Sequence, residues 1–134
     1  MITELFIKQC KQAEEIQEGW KPEEYDIFTY DGTSLFRYPL VKRTKEWMAK
    51  HAPIWLPTLE QLIEMAHKTR NKNAHHKAKE YEIIADFIDW MLNSDIDKYK
   101  DFNLDFDDTK SCLLIYIMEE FYNKIWTGEK WEAI

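Results

Sequence analysis

Asp101, Asn103, Asp105 and Asp107 set oxygen-bearing side chains at alternate positions, the spacing with which a calcium-binding helix–loop–helix begins. Such a loop also needs glycine at its sixth position for the sharp turn and a bidentate glutamate at its twelfth. Phe106 and Cys112 stand there instead. The stretch therefore reads as an acidic strand or loop, with Phe102, Leu104 and Phe106 turned inward. His67, His75 and His76, with His51 elsewhere, could bind zinc or act as bases near neutral pH. Adjacent His75 and His76 diverge on a helix, however, and no cysteine lies near them. Glu82, Asp86 and Asp89 recur at three- and four-residue spacing, which would place them on one helical side, but no histidine three residues after a glutamate completes a di-iron set. A nucleophile elbow, a phosphate-binding glycine loop and a dinucleotide fingerprint are all missing. The sequence assigns no catalytic residue, no metal ligand and no cofactor.

Two further features point to binding. From His67 to Lys79 the chain carries Lys68, Arg70, Lys72, Lys77 and Lys79 and no acid, so Lys68, Arg70, Lys72 and Lys77 are candidates for phosphate contacts. Basic residues also complement the negative end of a helix, which is their commoner use. The chain holds 6 tryptophans, more indole than a small core readily buries. Trp47, Trp55 and Trp131 fall in weakly patterned segments, and exposed tryptophans anchor protein interfaces. These three are the candidate protein-binding residues.

Helices must position most of these groups. Thr3 can cap a first helix over residues 3–18, with Phe6, Cys10, Ala13, Ile16 and Trp20 on one face, ended by a left-handed Gly19 and by Pro22. Between Tyr25 and Val41 strand formers replace helix formers. Asp31-Gly32 suits a two-residue type I′ turn that sets Tyr30 opposite Thr33 and Phe28 opposite Leu35, with Pro39 near the strand's end. Thr44 to Trp47 could open a short helix before Pro53. Thr58 and Gln61 have capping-box spacing for a helix over residues 58–70, and Asn71 to Asn73 interrupts the pattern. Ala78, Tyr81, Ile84, Ala85, Ile88, Met91 and Leu92 then give the cleanest helical periodicity in the chain. Asp107 or Asp108 can cap a last helix, whose apolar face from Leu113 to Ile125 suits a central position and which Gly128 could end. Lys130 to Ile134 would follow as a tail or short strand.

The expectation is one α+β domain over residues 1–134, mostly helical, with a small antiparallel hairpin packed on helices. Its 134 residues, 45% of them hydrophobic, are enough for one core, and only 3 glycines and 4 prolines argue against many tight turns. Cys10 and Cys112, set among apolar neighbours, read as buried free thiols and fit a reducing cytoplasm. The opening residues lack the pattern of a secretory signal, and no segment is apolar for long enough to cross a membrane. A net charge of -7 repels phosphate backbones overall.

Ile54-Trp55-Leu56-Pro57-Thr58-Leu59-Glu60-Gln61-Leu62 resembles a segment common in small proteins carried by bacteriophages and prophages. The opening is similar too: a helix like Phe6 to Glu18 leads through Trp20-Lys21-Pro22 into Tyr25-Asp26-Ile27-Phe28. The likeness covers roughly the first half of the chain. It implies a bacterial or phage cytoplasmic setting and brings no activity, cofactor or site. Together these features favour a non-catalytic accessory protein that binds a host or phage protein, or itself, with no membrane association. A nucleic-acid-binding accessory protein using residues 67–79 comes second, and a small metal-dependent hydrolase third.

Overall fold

The computed structural model describes residues 2–32, 34–37, 50–93, 99 and 108–134. Expectations for Thr33, for Pro39, for the helix after Thr44 and for Asp101 to Asp107 lie outside them. The fold is α+β, and the chain divides into two compact units, Met1–Thr58 and Leu59–Ile134.

The first unit begins with α1 (Glu4–Gln12), capped by Thr3, whose hydroxyl accepts from the Phe6 amide at 3.1 Å. The expected single helix over residues 3–18 is instead broken at Ala13 (φ -84°, ψ 79°), and α2 (Glu14–Glu18) follows. Gly19 is right-handed (φ -77°), so the expected left-handed stop is not what ends α2; the Trp20 amide closes it on the Gln17 carbonyl at 3.2 Å. Asp26, buried, accepts from the Trp20 indole and the Glu23 amide, both at 2.9 Å, and so fixes the connection around Pro22. Strands β1 (Ile27–Thr29), β2 (Phe36–Arg37) and β3 (Ile54–Trp55) form an antiparallel sheet in the order β2-β1-β3.

The hairpin exists, but its register is one residue away from the expected one. Phe28 faces Phe36 rather than Leu35, and their rings stack at 5.7 Å. The cause lies in the turn. The Thr29 hydroxyl donates to Asp31 Oδ1 (3.1 Å) and accepts from the Gly32 amide (3.0 Å), while the Ser34 amide donates to the same Asp31 oxygen (2.7 Å). These side-chain bonds favour a wider loop than a type I′ turn, with Gly32 left-handed at φ 82°. A one-residue shift reverses every side chain's face, so Leu35 points to solvent and Phe36 packs.

In the second unit, α3 (Leu59–Asn71), α4 (Glu80–Leu92) and α5 (Thr109–Tyr122) pack together, and β4 (Lys124–Trp126) pairs with β5 (Trp131–Ala133). Asp108 caps α5 through Ser111, accepting from its amide at 3.2 Å and its hydroxyl at 2.7 Å. Ser111 to Met118 are all buried, which makes α5 the central helix, as its apolar run suggested. It ends at Asn123, left-handed at φ 53°, and not at Gly128, which sits in the loop between β4 and β5. The stretch from Lys130 to Ile134, expected as a tail or short strand, holds the second strand of a hairpin, in which Trp126 faces Trp131.

Candidate functional site

Among the described residues no tryptophan is fully exposed. Trp47 lies outside them. Trp55, on β3, is 8% exposed and stacks on Trp20 at 6.0 Å with the rings nearly parallel. Trp131 is half-buried against Trp126, with ring centres 4.9 Å apart. The indole surplus is absorbed by pairing rings within each unit, which leaves Trp55 little surface to offer a partner.

The basic segment is the ordered joint between α3 and α4. The Asn71 side chain clamps the Ala78 main chain from both sides: its amide donates to the Ala78 carbonyl at 2.9 Å and its oxygen accepts from the Ala78 amide at 2.8 Å. His67 Nε2 lies 2.8 Å from the same carbonyl. Lys77 donates to the Asn71 carbonyl at the end of α3, Lys68 pairs with Glu64 at 2.9 Å, and Arg70 pairs with Asp86. Lys72 is exposed in the turn. Three of the four candidate phosphate contacts thus have partners inside the unit.

The carboxylates on α4 also have local partners. Glu82 accepts from the Lys79 amide at 3.3 Å and completes the helix start, Asp86 holds Arg70, and Asp89 accepts from the Asn93 side chain at 2.8 Å. His75 and His76 are exposed with ring centres 6.4 Å apart. Among the described residues no three His, Cys, Asp or Glu side chains gather as a metal site requires. Cys10 and Cys112 are both buried. No described helix is long and apolar enough to cross a membrane.

A feature that the sequence did not reveal lies on α4. Ile83, Phe87 and Trp90 are its buried face, packed in an aromatic cluster where Tyr116 lies 5.6 Å from Phe87 and 5.7 Å from Trp90. Burial, helped by the charges of Asp86 and Glu120 and opposed by Arg70, pushes the Tyr116 phenol up to about 12. Tyr99, which touches Trp90 and donates to Glu119 at 2.8 Å, is raised further: burial comes first, then that hydrogen bond and the Glu119 charge.

Of the seven residues that gave the cleanest helical periodicity, Ala78 is buried and Met91 half-buried, and the other five are on the outside. Tyr81 is 64% exposed, Ile84 39%, Ile88 50% and Leu92 81%, and Ala85 among them is exposed as well. At 3.6 residues per turn these five lie along one line, roughly opposite the Ile83–Phe87–Trp90 face. Aromatic size decides which face turns inward, because a buried Phe or Trp removes about 150–250 Å² from water, more than an isoleucine or leucine can. The signal was present in the sequence as two interleaved apolar sets within one helix. The five form a contiguous exposed stripe, which sets them apart from scattered surface apolar residues.

No protein-family model matches the chain, and neither does any curated protein or solved structure.

Proposed function

We propose that this chain is a non-catalytic accessory protein that works by docking another protein against the exposed stripe of α4. The carrying observation is the row Tyr81, Ile84, Ala85, Ile88 and Leu92, left in solvent by a helix that already buries a full apolar face. The weak chemical credentials of the histidines and carboxylates, each tied to local structure or standing apart, support a binding role over a catalytic one. Likeness of the first half to phage- and prophage-carried proteins supports a bacterial or phage cytoplasmic setting. The nucleic-acid reading loses support because Lys68, Arg70 and Lys77 are engaged within the unit.

The test replaces Ile84, Ile88 and Leu92 together with serine and compares the variant with the wild type in capture experiments from bacterial lysate after nuclease treatment. Substitutions at exposed positions change stability by about 0.5 kcal/mol each, so the three together should lower the urea midpoint modestly and leave the transition cooperative. A discrete protein retained by the wild type and lost by the variant is expected. Equal retention by both, or material that disappears with nuclease, overturns the proposal.

A further inference from the structure

Building on that reading of α4, we infer that the partner element is an amphipathic α-helix with basic flanks, packed along α4 in heptad register. Tyr81, Ala85, Ile88 and Leu92 alternate at spacings of four, three and four, the d-a-d-a sequence of a coiled-coil seam, and all are exposed. The row spans about 17 Å at 1.5 Å per residue, enough for two successive turns of a partner to engage it. Tyr81, Ile84, Ala85 and Ile88 also stand at i, i+3, i+4 and i+7. Those are the four corners of the hole that receives one side chain from a facing helix, and the small Ala85 keeps it open. A strand or an irregular loop has no need of this spacing; a helix does.

Charge selects the partner's chemistry. Between Glu80 and Leu92 the helix carries Glu80, Glu82, Asp86 and Asp89 and no basic residue, and none stands in its last turn to offset the negative end of the helix dipole. Glu82, Asp86 and Asp89 line one border of the stripe, and Glu80 lies toward the other. Arg70 pairs with Asp86. Two copies of this helix packed antiparallel would set Glu82 of one beside Asp89 of the other, a like-charge border that opposes self-association. A helix bearing Lys or Arg beside its own apolar seam would meet both the hole and the rim.

The probe is a fluorescein-labelled designed peptide of about three heptads with Leu at a and d and Lys at e and g, compared with its twin carrying Glu at e and g. Anisotropy should show the Lys peptide binding the full chain about tenfold more tightly than the Glu peptide, the ratio that several modest rim pairs produce together. The preference should shrink as salt rises from roughly 50 to 500 mM. Ala85→Leu adds apolar surface but fills the hole, so it should weaken binding by about tenfold, whereas plain adhesion to an apolar patch would strengthen. Sedimentation equilibrium should show a monomer.

Equal affinity for the two peptides, no binding of either, tighter binding after Ala85→Leu, or a dimer dissolved by Ile88→Ser each overturns the basic-helix partner. The docking role of α4 would still stand if the serine variant lost its captured protein. Retention of both peptide and captured protein after the serine replacements would remove the docking role itself.

Discussion

Replacing Gln17 with alanine should destabilise the first unit by about 2–4 kcal/mol, although the side chain is only partly buried. The break at Ala13 turns α2 so that the Gln17 carboxamide runs along the outer edge of β3. Its nitrogen donates to the Trp55 carbonyl at 2.9 Å and to the Cys10 carbonyl at 3.0 Å, and its oxygen accepts from the Trp55 amide at 2.7 Å. One side chain therefore supplies the pairing that a fourth strand would give to β3. Three hydrogen bonds at about 1 kcal/mol each, with a desolvated amide left behind, give the stated range, a large share of the roughly 5–15 kcal/mol that holds a domain folded. Gln17→Glu keeps the acceptor for Trp55 but opposes a carboxylate to two carbonyls, which raises the carboxyl's pKa in the folded state above roughly 4.3. Its deficit should be smallest below that value and grow as pH rises through the raised pKa, because only the protonated acid can donate. Urea unfolding followed by tryptophan fluorescence and hydrogen exchange at the Trp55 amide would measure both effects. A Gln17→Ala protein within about 0.5 kcal/mol of the wild type, with unchanged Trp55 exchange, would refute the edge-pairing argument.

Tyr25 is 68% exposed and held left-handed at φ 72°, so Tyr25→Gly should raise stability by about 0.5–1 kcal/mol in the same urea titration. Ala52, at φ 44°, should respond to Ala52→Gly in the same direction. Asn71→Ala removes both bonds to Ala78 and should cost about 2 kcal/mol, read as faster amide exchange at Ala78 and an earlier thermal transition. At alkaline pH the unfolded chain releases phenol protons near 10, while Tyr116 holds its own to about 12 and Tyr99 holds its longer. The unfolded state then binds fewer protons than the folded one, so stability is fully present below pH 10 and falls as pH rises through the folded values. Tyrosinate absorbance should show two late-titrating phenols, and Tyr116→Phe should blunt the alkaline loss.

Local chemistry made part of this fold legible. Thr3 and Asp108 cap the helices they were expected to cap, because a side-chain oxygen at a helix start acts on amides only two or three residues away. The stretches with sustained apolar spacing became α3, α4 and α5 for the same short-range reason. What escaped depends on distant partners. Ala13 is a good helix former, and the break there makes sense only with the Cys10 carbonyl received by Gln17 and Gln17 bound to Trp55. Ile54 and Trp55 are strand formers, but a run of two is too short to mark a strand alone; they become β3 because Phe28 and Thr29 offer an edge. Asp31-Gly32 looked like a two-residue turn, and the Thr29 and Ser34 bonds to the Asp31 carboxylate outweighed that preference.

The same distinction explains how the candidate site moved from tryptophan to aliphatic residues. Counting indoles treats each ring as surface waiting for a cover, but a large ring can be covered by another ring, as Trp55 is by Trp20 and Trp131 by Trp126. Periodicity, for its part, detects a face without saying which way it points. In α4 both faces are apolar, and the one with Phe87 and Trp90 gains more by leaving water, so the more regular stripe is the one displaced outward. Tyr81 and Leu92 stay mostly wet, and Ile84 and Ile88 about half so, and the part left in water adds nothing to the folding of the chain that carries it. Its apolar area can be removed from water only by something else, and the acid groups beside it limit what that can be.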